Sequence, residues 1–316
     1  MKVIVTGAAG FIGSTLSERL IEQGFYVIGI DSLNSNYPVK LKKSNLTALL
    51  NNKNFEFINK NITSIEFGNK YSDIEAVFHQ AATAGVRSSW GTNFKDYTEN
   101  NILATQHLLE SFKSSKLKKF IFASSSSVYG NSDKFPLTIS SPTKPISPYG
   151  VTKLAAENLI NSYFENYGLP TVSLRYFTVY GPRQRPDMAF HIFLRAAITN
   201  NKIDIYGNGE QIRDFTYIDD VVNANMLSLN LGVSGNIYNI GGGSNISINE
   251  TLRLIESITN KSLKISYKNT QKGDVRQTQA DISESKIQLK YEPRYDITTG
   301  LENEYEWICK NISLLT

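Results

Sequence analysis

The feature that most constrains this chain is its first apolar run and the glycine-rich segment that follows it. Residues 2–6 read Lys-Val-Ile-Val-Thr, and Gly7, Gly10 and Gly13 come directly after them. An apolar run of this kind predicts a strand that is buried on both faces. Glycines at a strand-to-helix turn let main-chain N–H groups approach a pyrophosphate at the positive end of the helix. The segment therefore predicts a dinucleotide-binding unit.

A carboxylate follows at the distance that such a unit requires. Asp31 ends a second apolar run, residues 26–30, eighteen residues after Gly13. In dinucleotide-binding folds an acid at this place takes the hydroxyls of the adenosine ribose. The glycine spacing is Gly-x-x-Gly-x-x-Gly, and a glycine triplet alone is also compatible with a plain turn. The strand before it, the helix after it and the acid together favour dinucleotide binding.

The rest of the chain alternates between apolar runs and helical patterns. Such alternation predicts an α/β fold, a Rossmann-type doubly wound parallel sheet with helices on both faces. Further strands are predicted at 55–58, 76–79, 120–123 and 172–176, and helices at 100–114 and 149–167.

The rhythm changes after Gly181-Pro182, where short elements and Gly/Asn turns take over. A chain of 316 residues is long enough for a nucleotide domain and a smaller second one. We expect the dinucleotide-binding domain at residues 1–177, with a segment at about 215–240 that returns to its sheet near Ile237–Ile240. A smaller C-terminal α/β substrate domain is expected at 178–214 and 241–316.

Composition excludes several classes of protein. No window approaches the roughly eighteen apolar residues that a membrane span needs, so no membrane partner is expected. The net charge of +4 is too mild to indicate nucleic-acid binding. The single cysteine, Cys309, excludes an internal disulfide and is typical of a reducing compartment. No His/Cys/Asp cluster has metal-ligand spacing, so no metal is expected. These features predict a cytoplasmic enzyme.

The candidate chemistry lies in the middle of the chain. Tyr149 and Lys153 are four residues apart, and this spacing places both on one face of a helix. A free tyrosine has a pKa near ~10 and is a poor base at neutral pH. A neighbouring ammonium favours the phenolate and makes acid–base work feasible. The pair occurs by chance in many helices, but behind a dinucleotide fingerprint it indicates a catalytic pair.

A run of four serines, residues 124–127, closes the strand predicted at 120–123. Open α/β sheets bind their ligands at the carboxyl ends of the strands. A hydroxyl at this place can hydrogen-bond a reacting substrate oxygen and share its proton with Tyr149. The alternative is a flexible polar turn, which serine runs usually form. The position at a strand end in the catalytic half favours function.

These motifs together resemble the extended short-chain dehydrogenase/reductase family. The resemblance rests on residues 6–13, the serine run, the Tyr149/Lys153 pair and the segment 175–182, and it covers essentially the whole chain. Members act on nucleotide sugars as epimerases, dehydratases and decarboxylases. Within the family, segments 79–82, 85–88 and 181–189 look most like UDP-glucuronic acid 4-epimerases.

The resemblance implies NAD as the cofactor and assigns residues to it. Asn61 departs from the aspartate that the family has beside the adenine. The implied cofactor-binding residues are Gly7, Gly10, Phe11, Ile12 and Gly13 at the pyrophosphate, Asp31 and Asn34 at the adenosine ribose, Asn61 and Ile62 at the adenine, and Ala81, Ala82, Asn100, Tyr149 and Lys153 elsewhere along the cofactor. The implied catalytic residues are Ser125, Tyr149 and Lys153.

The substrate side is implied to bind a UDP-sugar. Guanidinium groups match phosphates and carboxylates bidentately, although each arginine is equally compatible with a surface charge. The candidate substrate-binding residues are Arg87, Ser126, Ser127, Thr178, Arg185, Arg213 and Arg276. Phe190 and His191 either border the uracil or pack in the core, and His79 is expected to be structural.

The implied activity is inversion of C4 of a UDP-sugar, UDP-glucuronic acid to UDP-galacturonic acid, through a transient 4-keto sugar and return of the hydride. Decarboxylases that resemble this family carry glutamate at the position of Ser127, and dehydratases carry Asp-Glu at 126 and 127. A neutral UDP-sugar (UDP-glucose or UDP-N-acetylglucosamine), a UDP-glucuronate decarboxylase or dehydratase, and a catalytically silent NAD-binding protein stay open as alternatives. A homodimer is expected through the helices at 100–114 and 149–167.

Overall fold

The computed structural model describes residues 1–315. The strands, in chain order, are β1 (Lys2–Thr6), β2 (Tyr26–Asp31), β3 (Phe55–Asn59), β4 (Ala76–His79), β5 (Lys119–Ser125), β6 (Thr171–Tyr176), β7 (Thr178–Tyr180), β8 (Lys202–Tyr206), β9 (Ile212–Tyr217), β10 (Ile237–Ile240), β11 (Ser244–Ser247) and β12 (Lys264–Lys268). The α-helices are α1 (Phe11–Glu22), α2 (Val39–Leu50), α3 (Phe94–Tyr97), α4 (Ala104–Phe112), α5 (Pro148–Tyr167), α6 (Ala189–Thr199), α7 (Ile218–Leu231), α8 (Ile248–Thr259), α9 (Ile297–Lys310) and α10 (Ile312–Leu315).

Seven parallel strands form the large sheet, in the order β10-β6-β5-β4-β1-β2-β3. The strand order reverses between β1 and β4, and this is the switch point at which such sheets bind ligands. Val3, Ile4 and Val5 in β1 are wholly buried because helices cover both faces of the sheet. The Rossmann-type fold is confirmed, and the chain returns to the sheet at Ile237–Ile240 beside β6.

Two small sheets form the rest of the α/β structure. One has the order β11-β9-β7 and the other pairs β12 with β8. Helices α6, α8 and α9 pack against one another in this part of the chain. The segment that returns to the large sheet consists of α7, which packs against α1, and β10. Strand β9, at 212–217, pairs with β7 and β11, and α7 begins at Ile218. The domain bounds, including those of the returning segment, stay a prediction.

The helix expected at 100–114 begins earlier than its sequence pattern indicates. It starts with α3, continues through a π-helical stretch at Thr98–Leu103 and ends with α4 at Phe112. Asn101 lies in that stretch, and its side-chain amide donates to the Thr83 carbonyl oxygen (3.0 Å) and to the Thr152 hydroxyl (2.9 Å). These bonds tie the helix to the loop after β4 and to α5. A π-turn of this kind often marks a functional site.

Helix α5 has clear start and stop signals. The Ser147 hydroxyl accepts a hydrogen bond from the Gly150 N–H at 3.1 Å, and Pro148 occupies the first helical position. The helix ends at Gly168, whose φ of +67° is the left-handed conformation that glycine adopts readily. The expected helix at 149–167 is therefore confirmed, and its N-terminal turn lies beside the carboxyl end of β5.

Candidate active site

A cavity of about 1000 Å³ opens at the carboxyl ends of the large sheet's strands. Its walls come from both the large sheet and the small sheets, and its volume suits a sizeable ligand. The predicted site residues that line it are Gly7, Gly10, Phe11, Ile12, Gly13, Asp31, Asn34, Asn61, Ile62, Ala81, Ala82, Arg87, Asn100, Ser125, Ser126, Ser127, Tyr149, Lys153, Thr178 and Arg185.

The glycine turn forms a cradle that no larger residue permits. Gly7 has a φ of +69°, and a Cβ there would lie 2.9 Å from the main-chain N and Cα of Ala81. A Cβ on Gly13 would lie 2.1 Å from the Gly7 carbonyl oxygen. No side chain caps the first turn of α1 at Gly10, so its N–H groups face the cavity as a site for an anion. These residues fit the pyrophosphate of NAD.

Asp31 stands at the end of β2 and holds the glycine turn in place. One carboxylate oxygen accepts a hydrogen bond from the Ala9 N–H (3.1 Å), and the other accepts one from the Leu33 N–H (2.8 Å). A carboxylate has about four lone-pair positions. Asp31 therefore keeps acceptor capacity for ribose hydroxyls at the edge of the cavity.

The ammonium of Lys153 is buried beside the end of β5. It donates a hydrogen bond of 2.7 Å to the Ala123 carbonyl oxygen and lies 4.9 Å from the centroid of the Phe122 ring. Burial lowers the pKa of Lys153 to about 7, and the carboxylate of Glu157 opposes this shift. A proton on Lys153 is therefore easily lost or gained near neutral pH in the cofactor-free protein.

The Tyr149 phenol lies one helical turn before Lys153 on α5. Burial raises the pKa of Tyr149, and the Ser125 side chain opposes that rise through a hydrogen bond. The Ser125 hydroxyl also accepts from the Ser127 N–H at 3.1 Å, which fixes the turn that follows β5. The rings of Tyr97 and Tyr149 pack edge-to-face, with their centroids 6.2 Å apart. The structure thus brings the three predicted catalytic side chains together.

A buried ion pair underlies this catalytic set. Arg175 on β6 binds both carboxylate oxygens of Glu157, at 2.9 and 2.8 Å, and both side chains are almost wholly buried. The hydroxyl of Ser124 also donates to Glu157. Glu157 lies one turn beyond Lys153 on α5, so the pair connects the catalytic helix to β5 and β6.

Two of the four candidate arginines line the cavity. Arg87 pairs with Asp274 at 2.7 Å, and its guanidinium lies 4.4 Å from the centroid of the Tyr206 ring. Arg185 makes a two-point contact with Asp187, at 3.0 and 2.7 Å. A guanidinium has five N–H donors, so each of these arginines retains donors for a ligand anion.

The other two arginines lie outside the cavity in this structure. Arg213 donates to the main-chain carbonyl oxygens of Ile212 (2.9 Å), Arg276 (3.3 Å) and Val275 (2.7 Å). Its guanidinium fastens β9 to the segment before Thr278. Neither Arg213 nor Arg276 is among the residues that line the cavity. Their roles toward a substrate stay a prediction.

The histidines next to the site are structural. His79 is wholly buried, with its Nδ1 2.8 Å from the Thr6 hydroxyl and its Nε2 2.9 Å from the Thr105 hydroxyl. Neither Phe190 nor His191 lines the cavity. The ring centroids of Phe190 and Phe215 are 4.2 Å apart, and His191 is wholly buried. Of the two expectations for Phe190 and His191, the structure therefore favours packing in the core over a place beside the uracil.

Sequence reasoning missed several side chains that line the cavity. Tyr37 and Lys42 come from the loop after β2 and the first turns of α2, and Asp187 follows Arg185 by two residues. The only sequence signal for Tyr37 and Lys42 is their place in the segment that follows Asp31, the acid expected at the ribose. Asp187 lies within the segment that carries the family resemblance, but its pairing with Arg185 depends on the folded loop.

This fold and this site together define a class of protein: enzymes that act on nucleotide sugars with the help of a bound dinucleotide. Comparison with known proteins agrees: residues 3–241 match the NAD dependent epimerase/dehydratase family. The chain belongs to that family.

Full-length relatives refine the comparison. The chain is 43% identical to the UDP-glucuronate 4-epimerase of Thermodesulfobacterium geofontis, over 99% of this chain and 97% of that one. It is similar to the crystal structure of UDP-glucuronic acid 4-epimerase from Bacillus cereus in complex with UDP-glucuronic acid and NAD (TM-score 0.96, 43% identity, 98% of this chain and 99% of that one). It is also similar to the UDP-glucose 4-epimerase of Thermotoga maritima with UDP-glucose (TM-score 0.90, 36% identity, 99% and 100%).

Residues 1–315 contain neither a cluster of metal-ligating side chains nor a helix suited to crossing a membrane. No group of three or more His, Cys, Asp or Glu side chains in this range could hold a metal ion. None of the helices in the same range is both long and apolar enough to span a bilayer.

Proposed function

We propose that this protein is an NAD-dependent epimerase that inverts C4 of UDP-glucuronic acid to give UDP-galacturonic acid. The observation that carries the proposal is the meeting of Ser125, Tyr149 and Lys153 with Arg185 in one cavity, next to a glycine cradle that fits a dinucleotide. The relatives named UDP-glucuronate 4-epimerase support this choice of substrate.

The protein's own groups perform the proton transfers. Tyr149, as phenolate, removes the proton of the sugar 4-hydroxyl, and Ser125 shares that hydrogen bond. The Lys153 ammonium stabilises the phenolate charge and holds the cofactor ribose. Bound NAD supplies the acceptor and donor of the C4 hydride. The 4-keto sugar then turns about its diphosphate linkage so that C4 presents its other face, and Tyr149 returns the proton to the C4 oxygen.

The same cavity accounts for retention of the sugar carboxylate. Oxidation at C4 of a glucuronic acid gives a β-keto acid, which readily loses CO₂. Ser126, Ser127 and Thr178 present hydroxyls to the cavity, and Arg185 presents a guanidinium. Charge-assisted hydrogen bonds from these groups can hold the carboxylate in a pose that disfavours cleavage. No carboxylic acid stands at 126 or 127 to assist CO₂ loss or dehydration.

Incubation with UDP-glucuronic acid, followed by chromatographic separation of the products, tests the proposal. We expect UDP-galacturonic acid and no net NADH. Release of CO₂ with a UDP-pentose would identify a decarboxylase. Turnover of UDP-glucose or UDP-N-acetylglucosamine without turnover of UDP-glucuronic acid would identify a neutral-sugar epimerase. Inactivity on all of them would favour a silent NAD-binding protein.

We also propose a symmetric homodimer in the cytoplasm. Leu103 in the π-helical stretch and Val151 and Tyr167 on α5 are large apolar side chains with about half of their surface exposed, as a contact between the two helices across a two-fold axis requires. Ile160, another large apolar residue of α5, is buried within the subunit and so does not belong to this exposed set. Light scattering should give twice the chain mass at micromolar concentration, and Val151→Asp should give the monomer mass. A monomeric wild type would contradict the dimer.

A further inference from the structure

One buried hydroxyl in the cavity has no hydrogen-bond partner in the part of the chain that the structure describes. Among the described residues, the buried side-chain atoms without a hydrogen bond are the Tyr37 hydroxyl, both ring nitrogens of His191 and one oxygen of Glu304. Of these three residues, Tyr37 lines the cavity. A buried polar group left unpaired destabilises a protein, and an unpaired group at a site is explained when a ligand pairs with it.

The surroundings of the Tyr37 hydroxyl connect two parts of the site. The charges that act on it are Asp31, at the end of β2, and Arg185 and Asp187, in the loop after β7. Burial is the main cause that raises the pKa of Tyr37. The hydroxyl is therefore a neutral donor over the whole physiological range, in a cavity that Asp31 and the loop carrying Arg185 also line.

A buried ammonium stands over the ring of Tyr37. Lys42 is 5% exposed, lines the cavity, and has its Nζ 4.8 Å from the centroid of the Tyr37 ring. Among the described residues, its ammonium donates to the side-chain oxygen of Asn34, whereas an ammonium has three donors. Burial lowers the pKa of Lys42, Asp31 opposes this shift and Arg185 adds to it. A buried cation with donors to spare favours an anionic oxygen.

We propose that Tyr37 and Lys42 form a clamp that binds the adenosine-side phosphate of NAD. Because the cofactor is the one implied for this site, the inference rests on the proposed function. Asp31 is the residue expected to bind the adenosine ribose, and the glycine turn is the segment expected to bind the pyrophosphate. We place the phosphate that joins these two parts at the Tyr37 hydroxyl and the Lys42 ammonium, because both residues line the same cavity and both keep unused donors. The clamp retains the cofactor while the sugar is oxidised and reduced.

The first test uses Tyr37→Phe, which removes the hydroxyl and breaks no hydrogen bond among residues 1–315. We expect the melting temperature of the cofactor-free protein to stay the same or rise. Calorimetry should give about tenfold weaker NAD binding, the effect of one hydrogen bond to a charged group. Tyr26→Phe, at the opposite end of β2 and outside the cavity, is the matched control and should bind NAD as wild type does. Unchanged NAD affinity in Tyr37→Phe would overturn the clamp.

Fragments of the cofactor locate the contact. AMP, adenosine and UDP are titrated into wild type and Tyr37→Phe. The clamp predicts about tenfold weaker AMP binding with unchanged adenosine binding. An equal loss for adenosine would place the hydroxyl on the ribose or the base and would overturn the phosphate assignment. A loss for UDP with unchanged AMP would assign the hydroxyl to the nucleotide sugar instead.

The role of Lys42 is tested by removing its charge. Lys42→Met keeps the apolar stem, and Lys43→Met, one residue along on the exposed side of α2, is the control. We expect Lys42→Met alone to weaken AMP binding at least tenfold and to flatten its dependence on salt, because a cation–anion contact is screened. Lys42→Arg keeps the charge and should retain most of the salt dependence. Equal salt dependence in wild type and Lys42→Met would exclude Lys42 from the clamp.

These binding experiments separate the clamp from the proposed reaction. Failure of wild type to epimerise UDP-glucuronic acid, with weakened AMP binding in Tyr37→Phe, would remove the substrate assignment and leave the clamp. Epimerisation by wild type, with unchanged AMP binding in both variants, would remove the clamp and leave the proposed function.

Discussion

The Lys153 ammonium donates to the main-chain carbonyl oxygen of Ala123 at 2.7 Å, two residues before Ser125 on β5. This bond fixes the ammonium at the end of the strand that carries the candidate catalytic serine. Among the described residues, the hydrogen-bond acceptor of this ammonium is a neutral carbonyl oxygen, and the ammonium is buried. The pKa of Lys153 falls to about 7 for that reason, from an ordinary value of 10.5.

That depressed pKa predicts how the stability of the cofactor-free protein depends on pH. Between about pH 7 and 10.5 the unfolded chain holds a proton on Lys153 that the folded protein has lost. The free energy of unfolding therefore rises with pH across this window, and the contribution is lost as pH falls from 10.5 to 7. The full change is roughly 5 kcal/mol. Denaturant unfolding at several pH values measures it.

Lys153→Met isolates this contribution. Burial also lowers the pKa of Lys42 and Lys119, but both stay in the variant and cancel in the difference. The stability of Lys153→Met relative to wild type should be greatest near pH 7 and should decline toward pH 10. If the free energy of unfolding depends on pH in the same way in both proteins, Lys153 keeps an ordinary pKa in the folded state.

Tyr149→Phe tests the proposed base. The substitution keeps the ring that packs against Tyr97 and removes the proton-transfer group. We expect NAD to be retained and epimerisation to fall by at least ~10²-fold, the contribution of a positioned base. Steady-state kinetics, with NAD content measured by absorbance after denaturation, provide the check. Near-normal turnover would remove Tyr149 from the mechanism.

The Glu157–Arg175 pair predicts a non-additive effect on stability. Glu157→Leu or Arg175→Met alone leaves the other charge buried and unpaired, which costs about 3–5 kcal/mol. The double variant removes both charges and should unfold within about 2 kcal/mol of wild type. Denaturant unfolding of all four proteins completes the cycle. Additive losses in the double variant would mean that the two charges do not depend on each other.

The sequence predicts the part of the site that follows from local pattern. Residues 2–6 and the glycines after them are read directly, because a buried parallel strand is continuously apolar and a close turn excludes side chains. The Tyr149/Lys153 pair is read from helical spacing. These features need no knowledge of distant contacts.

Other features depend on how distant segments meet. The helix start at Phe94 follows from a π-turn whose Asn101 binds Thr83, and no periodicity in the sequence indicates that contact. Arg213 is a candidate substrate-binding residue from the sequence, and in the described structure its guanidinium donates to main-chain carbonyl oxygens. The place of Tyr37 in the cavity depends on the approach of the loop that carries Arg185.

Arg185 is the residue whose change bears most on substrate choice. It lines the cavity, and its contact with Asp187 fixes the guanidinium while leaving donors for the sugar carboxylate. A charge-assisted hydrogen bond of this kind contributes roughly 1.5–3 kcal/mol. Arg185→Ala should therefore lower kcat/KM for UDP-glucuronic acid by roughly ten- to a hundredfold, while NAD affinity changes much less.

Product analysis of the same variant gives the sharper result. With the carboxylate released, the 4-keto acid can reach poses in which the C–C bond breaks, so labelled CO₂ should form in Arg185→Ala above the wild-type level. Asp187→Asn is the matched control because it keeps an acceptor for Arg185 and leaves the guanidinium in the cavity. It should retain epimerisation without CO₂ release. Wild-type kinetics and products in Arg185→Ala would mean that Arg185 is a solvated loop charge and that the serine hydroxyls alone hold the carboxylate.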